Sequence, residues 1–255
     1  MSKAMSSFAH AALAASLLAC GLVGSVHAQA KTTVNAVMHA PLRVLDPIIT
    51  TAHITRNHGY MVYDTLLATD KDNQIRPQML QEWKASADGR TYTFKLRAGL
   101  KWHDGGAVTA EDCVASIKRW ATQDKMGQLM TSEMADMKVV DASTFTITMK
   151  EASDLAVRAL AKPSGVAPFM MPKRIAETPP TQAITTAIGS GPFKFVAAEF
   201  KPGVQVVYEK NTDYVARSEP ASGLAGGKKV LVDRVKWIAT PDAMTSVNAL
   251  GNGEI

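Results

Sequence analysis

Two stretches of the chain alternate apolar and polar residues with a period of two. In Thr91-Tyr-Thr-Phe-Lys-Leu-Arg97, Tyr92, Phe94 and Leu96 fall on one face and Thr91, Thr93, Lys95 and Arg97 on the other. That pattern predicts a strand with one face in the core. Asp88-Gly89 separates it from Trp83-Lys-Ala-Ser-Ala87. Both residue types accept the positive φ of a tight turn, so the pair predicts a hairpin. Val139 and Val140, then Asp141-Ala-Ser143, then Thr144-Phe-Thr-Ile-Thr-Met149 repeat the strand–turn–strand design. Thr33–Met38 alternates like a short strand and runs into Pro41.

Other stretches carry the helical period. Ile54, Met61, Val62 and Leu66 are spaced for a helix within 54–67, and Met79, Leu80 and Trp83 after Pro77 suit a core-packed turn or helix. Thr109-Ala-Glu-Asp112 reads as a helix start. Thr109 can accept from backbone N–H groups and Asp112 can reach back, a variant of the capping box. That helix runs through Val114, Ile117, Lys118 and Trp120, and Ser153 or Asp154 can cap a short one through Leu160. Beyond the Pro-rich Glu177–Thr181 boundary, Gly191–Val196 and Val204–Tyr208 read as strands joined by a turn at Lys201-Pro-Gly203. A Ser/Gly-rich loop at 218–227 precedes a further strand, Val230–Ile238. Thr240-Pro-Asp242 opens a helix with Pro in its first turn, Ala243–Leu250 fills it, and Gly251 stops it. No internal repeat occurs.

Composition narrows the class. The 255 residues are 46% hydrophobic, 20% charged and 6% aromatic, which excludes a disordered or collagen-like chain. Cys20 and Cys113 are too few for a disulfide scaffold or a thiolate zinc site. No long uninterrupted apolar run suggests a polytopic membrane protein. Residues 1–30 hold one charged residue, Lys3, then the apolar stretch Ala11–Val23 and an Ala28-Gln-Ala30 exit. This is the plan of a secretory signal peptide. Leu17-Leu-Ala-Cys20 also resembles a lipobox, so lipidation of Cys20 competes with cleavage after Ala30 or Ala28. Either route predicts an exported, periplasmic protein. Loss of residues 1–30 lowers the net charge of +5 by one. The remaining basic residues are scattered and no block of them alternates with aromatics, which argues against nucleic acid as a partner.

The usual catalytic signatures are absent. There is no Gly-x-Ser-x-Gly elbow, His-Glu-x-x-His, phosphate-binding loop or Gly-x-Gly-x-x-Gly in the chain. His39, His53, His58 and His103 lack metal-ligand spacing, and His53 and His58, five apart, fall on different helix faces. Cys113, within a helical pattern, suits a small buried apolar residue better than a reactive thiol.

An ordered set of segments carries a resemblance. Tyr63-Asp-Thr-Leu-Leu67 and Pro77-x-Met-Leu-x-x-Trp83 are followed by Ser86-x-Asp-Gly-x-x-Tyr-x-Phe-x-Leu-Arg97 and Gly99-Leu-Lys-Trp-His-Asp-Gly105. Then come Thr109-Ala-x-Asp112, Ser116, Gly189-Ser-Gly-Pro-Phe193, Asn211–Tyr214 and Ala249-Leu-Gly-Asn-Gly-Glu254. The series resembles the bacterial extracellular solute-binding proteins of family 5, the peptide- and nickel-binding components of ABC importers. Cys113 stands where Val is common and Trp102 where Phe is common.

The resemblance implies an α/β fold: lobe I of a periplasmic-binding-protein-like architecture with a small inserted α+β domain. Residues 31–46 and 186–255 would form lobe I and 47–185 the inserted domain. Lobe II is missing, so the chain is expected to be an amino-terminal part. It further implies capture of peptides or similar small solutes without catalysis, metal or cofactor. The partners would be ABC permease subunits in the inner membrane, served by a monomer. The loop after the first strand is the expected ligand contact, with His39, Ala40, Pro41, Leu42 and Arg43 as candidate residues. Its backbone can serve a peptide main chain and Arg43 a ligand carboxylate. An exported hydrolase with an unrecognised site, and a fragment that binds nothing, are the competing readings. Amino-terminal sequencing of periplasmic protein should begin at Lys31 or Gln29. A diacylated Cys20 would establish the lipoprotein route, and an intact Met1 on cytoplasmic protein would sink both.

Overall fold

The computed structural model describes residues 32–255; the export reading of residues 1–30, with Cys20, lies outside them. In chain order the first elements are β1 (Thr33–Val37), α1 (His53–Val62), β2 (Asp64–Thr65), β3 (Leu67–Thr69), β4 (Ile75–Pro77), β5 (Leu80–Ala85) and β6 (Thr91–Leu96). Next come α2 (Ala110–Gln123), α3 (Lys125–Glu133), β7 (Met134–Asp141), β8 (Thr144–Met149) and α4 (Leu155–Leu160). The last are β9 (Phe169–Met170), α5 (Lys173–Ala176), β10 (Phe193–Phe195), β11 (Gln205–Lys210), β12 (Arg234–Ile238) and α6 (Ala243–Gly251).

The alternating stretches form the middle of an antiparallel sheet ordered β5-β6-β8-β7. Phe94 stands opposite Phe145 across β6 and β8, their rings stacked at 5.0 Å. Tyr92, Phe94, Leu96, Phe145, Ile147 and Met149 are all buried. Helix α2 packs against β7 and β8 and buries Cys113, Ile117 and Trp120, with the Trp120 indole donating to the Val166 carbonyl at 2.8 Å. Its start follows the sequence: the Asp112 N–H donates to Thr109 Oγ1 at 3.3 Å and the Thr109 N–H to Asp112 Oδ2 at 2.9 Å.

A second sheet is ordered β1-β12-β11-β10, with β1 parallel to β12 and the other pairs antiparallel. Its strands come only from residues 33–37 and 193–238. Tyr208 and Trp237 meet edge to face at 4.9 Å, and Val206, Tyr208 and Trp237 are buried.

Several elements differ from the sequence reading. Residues 79–83 are not a turn or helix but lead into the strand β5. A register shift between Leu80 and Glu82 lets Leu80 pair with Leu96 and Trp83 with Phe94. Leu80 and Trp83, three apart, thereby share a strand face, which mimics a helical period. Helix α1 stops at Val62, well before Leu67, because Asp64-Thr65 pairs with Phe169-Met170. The strand expected over 230–238 begins only at Arg234. In α6 the Asp242 carboxylate caps the start, accepting from the Thr245 N–H at 2.8 Å. Pro241 therefore precedes the helix, Gly251 is its last residue and Gly253 takes the positive φ, 71°. At α4 it is Ser153 Oγ that accepts from the Leu155 N–H at 3.2 Å, while Asp154 pairs with Arg158.

The Gly189-Ser-Gly191 segment crosses the end of α1 at very close range. The Gly191 N–H donates to the Val62 carbonyl at 2.9 Å, and a Cβ on Gly189 would lie 2.1 Å from that carbonyl oxygen. Backbone cannot yield as a flexible side chain can. Gly189→Ala should therefore cost on the order of 3 kcal/mol or more in urea unfolding, against about 1 kcal/mol for the lost cap in Thr109→Ala. Equal, small losses in the two variants would contradict the tight crossing.

Candidate functional site

Strands β1 and β12 run parallel and end side by side at Val37 and Ile238. Segments leaving the carboxyl ends of parallel strands are where open α/β sheets place ligands. Here they are 38–46 after β1 and 239–242 before α6. All five candidate residues lie on the first. His39, Pro41 and Arg43 are exposed, Ala40 is half-buried and Leu42 is buried, as an extended chain with one face on the core requires.

The inward side chains make no pocket. Ala40 and Leu42 close against Ile54, Val204 and Trp237, leaving only about 10 Å³. The outward side offers backbone, His39 and Arg43. The Leu42 carbonyl accepts from the Gly203 N–H at 3.0 Å and the Val44 carbonyl from Thr55 Oγ1 at 3.1 Å. Among the described residues the N–H groups of Ala40, Leu42, Arg43, Val44 and Leu45 have no partner. The Arg43 guanidinium lies over Gly203, whose φ is 77° and where a Cβ would come within 3.1 Å of Cζ. Glycine there provides both the turn and the room for the guanidinium. Two roomier grooves, about 480 and 660 Å³, flank α2 and share no residue with this segment.

Sequence reasoning missed what fixes the segment. Asp46 is fully buried, and its carboxylate accepts from the Ile48 N–H at 2.9 Å, the Ile184 N–H at 3.0 Å and Arg119 Nη2 at 2.8 Å. A readable signal existed: Arg119 is a charged residue among the buried face positions Ser116, Ile117 and Trp120 of α2.

The histidines divide as their burial dictates. His39 and His53 are exposed. His58 is fully buried, with Nδ1 2.8 Å from the Tyr208 hydroxyl and Nε2 unpartnered; burial lowers its pKa to about 3. His103 Nδ1 accepts from the Gly189 N–H at 3.3 Å, so Nε2 carries the proton and faces the Gly191 carbonyl at 3.1 Å. Burial lowers its pKa to about 4, against the opposing pull of that carbonyl. Cys113 is buried and its thiol pKa is pushed up, chiefly by burial and then by Asp112. Among the described residues no three His, Cys, Asp or Glu side chains are grouped to hold a metal.

A sequence profile for "Bacterial extracellular solute-binding proteins, family 5 Middle" matches residues 74–255. The "Probable peptide ABC transporter periplasmic-binding protein y4tO" of Sinorhizobium fredii is 48% identical over 216 residues, 84% of this chain and 40% of that protein. Similar solved structures include NikA from Brucella suis with Fe(III)-EDTA, at TM-score 0.71, 24% identity, 88% of this chain and 42% of that one. Another is a dipeptide-binding protein from Pseudoalteromonas sp. SM9913 with Met-Leu, at TM-score 0.70, 18% identity, 87% and 46%. The two structures show a shared mixed α/β fold. The chain spans about 40% of the length of the relatives it matches.

Both buried histidines have folded-state pKa values below the ordinary 6.5. Their neutral forms therefore contribute stability fully above pH 6.5, and it is lost as pH falls toward 4 for His103 and 3 for His58. Between pH 6 and 5 each should add a slope of about 1.4 kcal/mol per pH unit. Urea unfolding across that window should show a slope smaller by about one such increment in His58→Phe. An unchanged slope would mean that His58 is not held neutral.

Proposed function

The chain belongs to the bacterial extracellular solute-binding proteins, family 5, and from that premise we propose that it forms one wall of a periplasmic receptor delivering peptides to an ABC importer. The family is one of binding proteins, not enzymes, and the relative at 48% identity bears the name of a peptide-binding component. The observation that carries the reading is the set of N–H groups in segment 38–45, after β1, that have no partner among the described residues.

A peptide lying along that edge in extended form gains main-chain hydrogen bonds, which do not depend on its side chains. Receptors of this kind can therefore accept varied sequences. The exposed Arg43 offers a planar donor fork to the ligand's terminal carboxylate. His39, Ala40, Pro41 and Leu42 supply the remaining surface, with Ala40 and Leu42 holding the edge to the core.

The same reading assigns residues 31–46 and 186–255 to the first lobe and 47–185 to an inserted domain. It is supported by the separation of the two sheets, one built from the outer stretches and one from the inner. The permease subunits of the importer are the partners of the loaded receptor, which acts as a monomer.

Enclosure between two walls desolvates a ligand and completes its hydrogen bonds. The described residues offer one wall, so this chain alone should bind mixed di- to pentapeptides with Kd about 1 mM or weaker. Joined to the portion of the Sinorhizobium fredii relative that follows its matched segment, it should bind at least a hundredfold tighter, about 2.7 kcal/mol. In that chimera Arg43→Ala should weaken free-carboxylate peptides about tenfold and leave amidated ones unchanged, as calorimetry would read. Micromolar binding by this chain alone would overturn the two-wall argument; silence of the chimera toward every peptide would overturn the peptide reading.

A further inference from the structure

We propose that Asp46 and Arg119 are positioning residues for the ligand-facing edge, a role that rests on reading segment 38–45 as the peptide-binding wall. Neither side chain reaches solvent: Arg119 is 1% and Asp46 0% exposed. One carboxylate ties its own turn to two distant parts of the chain. Oδ1 holds the Ile48 N–H, while Oδ2 holds both the Ile184 N–H and Arg119 Nη2. Arg119 in turn donates to the carbonyls of Thr178, Pro179 (3.4 Å) and Gln182 (3.1 Å). The chain leaving β1 at 46–48 and the chain returning at 178–184 are thus fastened to each other and to α2.

Segment 38–45 needs such a fastening because it holds itself so lightly. Among the described residues, two hydrogen bonds fix it between β1 and Asp46, from Gly203 to the Leu42 carbonyl and from Thr55 to the Val44 carbonyl. Its free N–H groups are the feature that suits it to a peptide and the reason it cannot fix its own course. Beyond those two bonds and the packing of Leu42 on the core, its course is set by its two ends, the β1 ladder at Val37 and the carboxylate at Asp46. A buried ion pair is a poor source of net stability, because removing both charges from water offsets their attraction. Arg119 Nε even lacks a partner among the described residues. What the pair supplies is direction: three strands of polypeptide are held to a fork and a carboxylate whose geometry admits little play. Release of that hold lets the edge drift, and ligand hydrogen bonds tolerate little drift.

The Gly203 amide reports the position of the edge, since among the described residues its partner is the Leu42 carbonyl. Arg119→Lys keeps the charge but loses the fork that spans Asp46 and the three carbonyls. Asp46→Asn keeps the shape and loses the charge. Native-state amide exchange of the 255-residue chain, read by NMR, should show Gly203 exchanging at least tenfold faster in both variants, with the amides of β6 and β8 unchanged. If Asp46→Asn does not accumulate folded, Arg119→Lys carries the measurement. Thr109→Ala, at the far end of the same helix, should leave Gly203 unchanged. In the peptide-binding chimera, Arg119→Lys should weaken peptides at least tenfold well below its unfolding temperature, and Thr109→Ala should not. Faster exchange at Ile48 and Ile184 alone, with Gly203 still protected, would reduce the pair to a local tie and overturn the proposal. So would an Arg119→Lys chimera with wild-type affinity. A wild-type chimera that binds no peptide, beside a loosened Gly203, would sink the receptor reading and still support the positioning of the edge.

Discussion

A carboxylate taken fully out of water must be surrounded by donors, and the surroundings of Asp46 are the point on which this fold turns. Its carboxylate accepts from its own loop after the first strand, from helix α2 and from the return segment at 178–184. An unpaired charge there would cost several kcal/mol. The three parts are therefore obliged to meet.

The second constraint is steric and lies close by. The chain returns toward β10 through Gly189 and Gly191, pressed against the carbonyls of Val62 and Tyr63 at distances no side chain permits. His103 closes the crossing, accepting from Gly189 and donating to Gly191 with one ring. Burial keeps the ring neutral, and neutrality is what allows it to face one donor and one acceptor at once. Asn211 adds a bond from Nδ2 to the Gly191 carbonyl at 3.0 Å. Electrostatic and steric fastenings thus complement each other: one needs charge enclosed by donors, the other needs the absence of a Cβ.

Against that rigid frame the segment 38–45 is under-bonded. The apolar residues Ala40 and Leu42 fix which side faces inward, and Arg43 rests on Gly203, yet most of its N–H groups are unsatisfied. Backbone groups exposed in this way at the ends of parallel strands form a surface awaiting a complementary chain. The combination of firm fastening beneath and an open hydrogen-bonding edge above is what a receptor for varied peptides requires. On the proposed reading, discrimination falls to the charge at the ligand's end and to the size of the enclosure.

Local physics was legible in the sequence. The alternation at 91–97 and 144–149, the Asp88-Gly89 turn and the Thr109–Asp112 cap each depend on residues within a few positions, and each formed as read. The ordered motifs identified the family. What failed were readings whose outcome rests on distant partners. Leu80 and Trp83 looked helical because a bulge, settled by pairing with β6, changes the phase of the strand. Helix α1 ended early because β9, a hundred residues on, claims Asp64-Thr65. Asp46 and Arg119 were ordinary charged residues until the fold placed them in contact across 73 positions. Periodicity and turn chemistry report interactions a chain makes with its near neighbours. Burial of a charge, the phase of a bulged strand and the clearance beside a glycine are properties of atoms brought together from afar, so only the tertiary structure could decide them.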